Sequence, residues 1–262
     1  MKSFHKKHKK SLKRKHPDLP ATGRDHLHAL DYIQRSKHIL AEELGIEPKV
    51  IFDVGANVGI WGHTFSTVFP DAAIFCFEPV TKTYNDLESN LKERIVEQRI
   101  KAYNIGFGEK AGKIRLGKPV ERQENSGLYS KYYSDKCVNK DGLTGGSDVV
   151  ECRFENINDF CFQSGTRPDL IKLDVEGCEY EIVRSLSPEL LESVQAFIVE
   201  VNRNPSFPEP RLVSEYLVEK GFWSPHPHKY TSRRPHPWSY GTPANRGKSY
   251  DRLWIRKKEE KK

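Results

Sequence analysis

The sequence predicts an α/β fold in which a mostly parallel sheet is covered by helices. Short apolar runs rich in β-branched and aromatic residues alternate with stretches of helical periodicity, as expected for a parallel sheet buried on both faces. The first such run, 49–53, leads through glycines at positions 55 and 59 into a helical stretch. Acidic residues follow the later runs, at the edge where open α/β sheets bind ligands.

The predicted elements follow one another in a regular order. An amphipathic helix over 25–45, stopped by Gly45, precedes the sheet. Strands are predicted over 49–53, 73–77, 100–105, 113–116, 149–154, 169–175 and 196–201. Helices are predicted from residue 60 to Pro70, over 81–95 and 157–162, after Gly177, and over 210–220. Two late strands, 222–223 and 251–256, predict an antiparallel hairpin at the end of the chain.

The glycine loop after the first strand has the properties of a ligand-binding loop. Gly55 and Gly59 allow a sharp turn and close approach of the backbone to a ligand, because no Cβ is in the way. The following helix directs unpaired N–H groups to the same place, which suits a phosphate or a carboxylate. Asn57 and Ile60 occupy the second and third glycine positions of a dinucleotide fingerprint, which weakens that interpretation. A simple strand-to-helix turn is the alternative.

Polar residues end the next two strands. Glu78 follows the glycine loop by about twenty residues, the distance at which doubly wound folds place a carboxylate on ribose hydroxyls. An ordinary acid at a strand end is the alternative for Glu78. The third strand ends at Asn104, on the edge that borders an adenine ring in this architecture.

The acids at the strand ends should converge. Asp53, Glu78, Asp174 and Glu200 each lie near the carboxyl end of a predicted parallel strand. Alternation along the 169–175 strand puts Lys172 and Asp174 on one face, joined by Glu176 if the strand continues. For Glu176, a first-turn acid that stabilises the helix dipole is the alternative.

Length and charge favour one domain with a basic tail. The chain has 262 residues and a formal net charge of +7, and residues 1–16 carry eight basic and no acidic residues. Without that stretch the chain is nearly neutral, so its pI does not indicate a nucleic-acid groove on the domain. The tail itself should be disordered and could contact a polyanion, act as a nuclear import signal or do nothing specific.

Cysteine usage and hydropathy predict a cytoplasmic protein, with nuclear entry possible through the tail. The chain has five cysteines and no C-x-x-C pair, which indicates reduced thiols. No apolar run is long enough for a transmembrane segment. The polar stretch 121–147 is expected to be a lid or a disordered loop. The histidines at 226, 228 and 236 lack acidic or cysteine neighbours, so we predict no metal site there.

Several motifs together resemble those of the FkbM-type S-adenosyl-L-methionine (SAM) dependent methyltransferases. The D-x-G-x-N-x-G pattern that starts at Asp53 resembles their motif I, and the K-x-D-V-E-G element at 172–177 is the most specific match. The resemblance rests on 52–59, 77–79, 104–106, 125–127, 171–177 with Glu179, and 198–200. It implies a Rossmann-like class I methyltransferase domain over 49–257, with a seven-stranded, mostly parallel sheet that ends in a C-terminal antiparallel hairpin. A basic tail (1–20) and a helix (21–48) are predicted before this domain, and a charged tail (258–262) after it; the basic tail is not part of the family pattern.

The resemblance also implies an activity and a site. SAM would be the cofactor, and the reaction would be O-methylation of a hydroxyl on a sugar or another small or glycosidic acceptor. The methionine part of SAM would contact Asp53, Gly55, Asn57 and Gly59, the ribose Glu78, and the adenine Asn104. Asp174 and Glu176 would lie beside the transferred methyl group, and with Glu200 they are the candidate catalytic residues.

Three other functions stay open. An NAD-dependent oxidoreductase would use the same loop and Glu78, but it should show the third glycine and lack the terminal hairpin. An RNA 2′-hydroxyl methyltransferase would explain the basic tail. A non-catalytic module of this fold that acts through its tail would bind cofactor without turnover. Metal dependence also stays open, because no dedicated ligand cluster is evident in the sequence.

Overall fold

A computed structural model describes residues 24–117, 149–201, 209–225 and 250–257, and it contains two sheets. The main sheet has seven strands in the order β3-β2-β1-β7-β8-β10-β9, and β10 runs antiparallel to both of its neighbours. The strands are β1 (Val50–Val54), β2 (Ala73–Phe77), β3 (Ile100–Tyr103), β7 (Leu170–Leu173), β8 (Ala196–Val201), β9 (Phe222–Trp223) and β10 (Tyr250–Arg256). The predicted α/β architecture, with its terminal antiparallel hairpin, is therefore confirmed.

Seven α-helices are present in the described part of the chain. They are α1 (Arg24–Lys37), α2 (Ile60–Val68), α3 (Thr81–Val96), α4 (Ile157–Ser164), α5 (Glu179–Ser185), α6 (Pro188–Ser193) and α7 (Glu209–Glu219). The first helix continues as a π-helix, His38–Glu43, and the chain then turns at Gly45 with φ +66°. The sequence did not predict α6, a short helix capped by the Ser187 hydroxyl, which accepts a hydrogen bond from the Leu190 amide.

The two faces of the main sheet carry two apolar cores. Strand alternation directs Ile51, Ile74 and Leu253 towards one core, which also contains Leu30 of α1 and Phe65 of α2. The opposite core joins the other strand positions to residues of α4, α5 and α7. Both faces are thus covered, and the carboxyl ends of β1, β2, β7 and β8 form one common edge.

A second sheet accounts for the strands predicted around 113–116 and 149–154. It has three strands, β4 (Gly106–Phe107), β5 (Gly112–Gly117) and β6 (Val149–Glu155), in the order β4-β6-β5. The predicted strand 100–105 is split, because β3 ends at Tyr103 and Gly106 already belongs to β4. A Cβ on Gly106 would lie 2.7 Å from the Phe154 ring, so only glycine allows this packing.

Several predicted features lie outside the described residues. They are the basic tail 1–20, the whole 121–147 stretch with Cys137, the histidines at 226, 228 and 236, and the C-terminal tail 258–262. The described cysteines Cys76, Cys152, Cys161 and Cys178 are free thiols. Across the described ranges, no helix combines the length and apolarity needed to cross a bilayer.

Candidate active site

The glycine loop packs directly against the chain segment that follows β7. Gly55 has φ +76°, and a Cβ built on it would lie 1.9 Å from the backbone carbonyl oxygen of Asp174. Gly59 has φ +89°, and its Cβ would lie 2.8 Å from a side-chain carbon of Leu91. Both glycines are therefore required by conformation and by close contact, and the loop lies next to the acids at the end of β7.

Glu78 ties the loop to the end of β2. One oxygen accepts a hydrogen bond from the Asn57 amide at 3.0 Å, and the other accepts from the Val80 amide at 2.9 Å. The side chain is 7% exposed, and burial raises the pKa of Glu78 to about 7 against the lowering effect of these amides. Each carboxylate oxygen keeps a second lone pair, so ribose hydroxyls can still be bound.

The two asparagines shape this end of the site. Asn57 has φ +49°, a conformation that asparagine tolerates better than most residues. The Asn104 side chain donates hydrogen bonds to the backbone carbonyls of Glu78 and Pro79 and accepts one from the Thr81 hydroxyl. The asparagine after β3 therefore fixes the turn that leaves β2.

Asp53 lies inside the protein. It is fully buried, and Nζ of Lys172 on the neighbouring strand lies 3.5 Å from its Oδ1 atom. Burial raises the pKa of Asp53, and Lys172 opposes this shift. The structure thus places the Asp53 carboxylate beneath helix α2, near Gly62, and pairs it with a lysine.

Lys172 connects this buried acid to the edge of the sheet. Its side chain is 1% exposed, and Nζ lies 3.1 Å from Oδ2 of Asp174, whose side chain is 29% exposed. Nζ also lies 5.2 Å from the centroid of the Trp61 ring. Burial alone would lower the pKa of Lys172, but Asp174 and Asp53 raise it above its usual value. Lys172 is therefore a buried ammonium between two carboxylates. Strand alternation predicted that Lys172 and Asp174 share a face, but it did not predict the ion pair with Asp53 on the neighbouring strand.

A tight turn after β7 brings Glu176 to the same edge. The strand ends at Leu173, earlier than predicted, and Glu176 and Gly177 take φ values of +53° and +106°. The buried Glu179 side chain accepts hydrogen bonds from the amides of Val175 and Gly177 at 3.0 and 3.1 Å. Burial raises the pKa of Glu179 to about 7. Glu179 thus fixes the turn that carries Asp174 and Glu176.

The side chains of the three candidate catalytic acids form one cluster. One oxygen each from Asp174, Glu176 and Glu200 lies within 4.8 Å of the others, and all three side chains are partly buried. Such a cluster can accept a proton, attract a cationic group or hold a cation. The sequence suggested no dedicated ligand cluster because the acids lie at the ends of two different strands, and Asp174 and Glu200 are 26 positions apart in the chain.

A fourth acid that the sequence analysis did not single out borders this cluster. Asp251 on β10 pairs directly with Glu200 on β8, so both side chains lie on one face of the sheet. Burial, followed by Asp174, raises the pKa of Asp251 to about 7, and Lys172 opposes the shift. No local signal marked Asp251, since it reaches the edge only through the antiparallel pairing of β10.

The fold and the site together define a class I SAM-dependent methyltransferase. The strand order, the single reversed strand β10, the glycine loop after β1 and the acids after β7 and β8 are the features of that class. The chain belongs to the FkbM family of methyltransferases, because the sequence model of the Methyltransferase FkbM domain matches residues 53–223. The family excludes the oxidoreductase and the non-catalytic module as alternatives.

Sequence relatives agree with this assignment. Methyltransferase sdnD of Sordaria araneosa is 30% identical over 191 residues, which cover 66% of this chain and 73% of the relative. Methyltransferase 1 of Beauveria bassiana is 24% identical over 67% of this chain and 76% of its own length. The hexuronic acid methyltransferase AglP of Haloferax volcanii is 25% identical over 66% of this chain and 63% of its own length.

Solved structures of methyltransferases also align with most of the chain at low identity. An O-methyltransferase from Bacillus cereus in complex with SAH superposes with a TM-score of 0.46 at 8% identity, covering 94% of this chain and 97% of that one. Precorrin-6y C5,15-methyltransferase from Geobacter metallireducens gives a TM-score of 0.44 at 11% identity, with 92% and 91% of the two chains covered.

Proposed function

We propose that this methyltransferase transfers a methyl group from SAM to a hydroxyl of a sugar or another small glycosidic acceptor. The observation that carries the proposal is the contact between the glycine loop and the acids that follow β7. Gly55 abuts the Asp174 backbone, while the Asp174 side chain meets Glu176 and Glu200 at the sheet edge. A cofactor on the loop would therefore have its reacting end beside these three carboxylates.

The residues around the loop fit SAM. The first-turn amides of α2 suit the methionine carboxylate, and the carboxylates beside the loop suit the ammonium and sulfonium charges. Glu78 has lone pairs for ribose hydroxyls, and Asn104 lies at the end of the next strand. Asp53 would act from beneath the loop, through its ion pair with Lys172.

The protein has two tasks in such a reaction. When bound, SAM supplies an electrophilic methyl group on a sulfonium that leaves as a neutral thioether. The site must hold the acceptor oxygen in line with that methyl group and exclude water, and such positioning is worth roughly 7–11 kcal/mol. One of Asp174, Glu176 and Glu200 would accept the hydroxyl proton, an effect of about 10²–10⁴-fold. Positioning is therefore the larger contribution.

The nature of the acceptor is supported by a relative. AglP, which matches two thirds of this chain, carries the name hexuronic acid methyltransferase. A sugar hydroxyl is weakly acidic, so a cluster of carboxylates near the methyl donor suits its deprotonation. The RNA 2′-hydroxyl alternative is chemically similar and would depend on the basic tail.

Calorimetric titration with S-adenosylhomocysteine and, separately, NADH tests the cofactor site. We expect the first ligand alone to bind, with affinity reduced in Glu78→Ala and unchanged in Glu93→Ala, a change on the exposed surface of α3. Equal affinity of wild type and Glu78→Ala would contradict the proposed site.

A methyl-transfer screen tests the acceptor. Labelled SAM is supplied with glycans and then with RNA, in the presence of Mg²⁺ and, separately, EDTA, because the three-acid cluster can hold a cation. Transfer to a glycan hydroxyl that is lost in Asp174→Asn is the expected result. Transfer to RNA alone, lost on removal of residues 1–16, would replace the glycan proposal.

A further inference from the structure

Arg252 is a buried cation with unsatisfied hydrogen-bond donors in the part of the chain that the structure describes. It is 4% exposed, and its Nε and Nη1 atoms have no hydrogen-bond partner among residues 24–117, 149–201, 209–225 and 250–257. Its guanidinium carbon lies 5.3 Å from the centroid of the Trp254 ring. A stacked guanidinium keeps its N–H donors available in its own plane, in the fork geometry that matches a carboxylate or a phosphate.

A second arginine of the same strand provides an internal comparison. Arg256 donates from Nε to the carbonyl of Val194 at 2.9 Å and from Nη2 to the carbonyl of Leu191. The fold can thus satisfy a partly buried guanidinium on β10 with its own backbone. The unsatisfied Nε and Nη1 atoms of Arg252 therefore do not follow from its place on β10 alone.

A buried charge needs a counterion, and the stretches of chain that adjoin β8 and β10 at the Arg252 end do not supply an acid. A buried charge without a counterion carries a penalty of several kcal/mol, so native proteins pair such groups. The two stretches next to the Arg252 end of the β8–β10 pair along the chain, 202–208 and 226–249, contain no Asp or Glu, and the acids Glu259 and Glu260 follow the opposite end of β10. A bound anion would supply the counterion for Arg252 that these two stretches lack.

Arg252 lies close to the three-acid cluster but on the other face of the sheet. It pairs with Val199, and the preceding residue, Asp251, pairs with Glu200. Strand alternation puts Arg252 on the side of Trp254, away from the acids. An acceptor that crosses the sheet edge could therefore present a hydroxyl to the acids while its anionic group reaches Arg252.

We propose that Arg252 is the binding residue for an anionic group, a carboxylate or a phosphate, on the methyl acceptor. This inference rests on the proposed function, because it assigns the acceptor to this edge of the sheet. The acids repel an anion on their own face, so the separation of the two charges across the strand also sets the direction in which the acceptor binds. A neutral acceptor would leave Arg252 unpaired and would bind more weakly.

Binding without turnover tests the inference. Full-length protein saturated with S-adenosylhomocysteine is titrated with methyl glucuronide, glucose 1-phosphate and neutral methyl glucoside. We expect at least one anionic sugar to bind about 30-fold or more tightly than the glucoside, the loss expected when one partner of a buried charge pair is removed. The two anionic probes distinguish a carboxylate from a phosphate subsite.

Variants test whether the preference for anionic sugars depends on Arg252. Arg252→Met should abolish the preference for the anion, Arg252→Lys should keep part of it, and Lys257→Met, an exposed cation just after β10, should keep all of it. Thermal unfolding and binding of S-adenosylhomocysteine show whether each variant is folded. Equal affinity of the wild type for charged and neutral sugars, or no binding of either anion at millimolar concentration, overturns the inference whatever the variants do.

Failure of the inference can be separated from failure of the proposed function. If the anionic sugar binds through Arg252 but no sugar is methylated, the anion site stands and the proposed acceptor class is wrong. If neutral glycosides are methylated as efficiently as charged ones, the proposed function stands and the anion site is overturned.

Discussion

The Nζ atom of Lys172 lies 3.1 Å from Oδ2 of Asp174, so an almost fully buried ammonium group supports a partly exposed carboxylate at the sheet edge. The same ammonium lies 3.5 Å from the buried Asp53. The acid of the glycine-loop motif and the acid of the D-V-E-G turn are thus joined through one lysine. Two of the motifs that carry the family resemblance therefore form a single charged unit inside the sheet.

Replacement of Lys172 should lower the free energy of unfolding. Lys172→Met leaves the Asp53 carboxylate buried without its counterion, and we expect a loss of about 3–5 kcal/mol in the free energy of unfolding. Urea unfolding of Lys172→Met, Asp53→Asn and the double variant measures it. The double variant should be more stable than Lys172→Met alone, since it removes the unpaired charge. Additive effects of the two changes would show that the two side chains do not interact.

The contact between the glycine loop and the D-V-E-G turn predicts a large effect at Gly55. Gly55→Ala combines a positive φ with a clash against the Asp174 carbonyl, so we expect about 3 kcal/mol or more of destabilisation and weaker binding of S-adenosylhomocysteine. Gly165→Ala is the matched control, because Gly165 has φ +65° and open space around its Cβ position. It should cost only about 1 kcal/mol. Similar losses in the two variants would argue against the close contact.

Glu78 should make stability depend on pH. Its pKa is about 7 in the folded protein against an ordinary value of 4.5, so the folded state binds the proton more tightly than the unfolded state. The stabilisation is complete below pH 4.5 and is lost as the pH rises through 7, a change of about 3 kcal/mol. Glu78→Gln should lack this contribution, while Glu93→Gln should retain it. Urea unfolding between pH 4.5 and 8 provides the comparison, and parallel profiles for wild type and Glu78→Gln would contradict the shift.

Glu179 should act on the site through the turn that it fixes. Glu179→Ala removes the acceptor for the Val175 and Gly177 amides, which should cost about 1–3 kcal/mol of stability. Because Glu176 then loses its fixed position, turnover of an identified acceptor should fall about 10- to 100-fold. Glu93→Ala is the control for loss of a surface acid. Unchanged turnover in Glu179→Ala would show that the position of Glu176 does not matter for the reaction.

Much of the fold could be predicted because its signals are local. The runs that form β2 and β8 are apolar and bounded by polar residues, and both strands were predicted with their observed ends. The glycine loop could be located because positive φ angles at Gly55 and Gly59 demand glycine. The split of β3 and the second sheet could not be predicted, since they depend on the close packing of Gly106 against Phe154.

The sequence by itself determined the order of strands and helices, the loop and the acids that follow the strands, because propensity, periodicity and turn chemistry act between near neighbours. Only the tertiary structure decided which charges meet. Lys172 pairs with Asp53 across two parallel strands, and Asp251 reaches Glu200 through an antiparallel pairing 51 positions away in the chain. The unsatisfied Nε and Nη1 atoms of Arg252 within the described chain are likewise a result of packing, since hydrogen bonding of a buried group depends on neighbours that are distant in sequence.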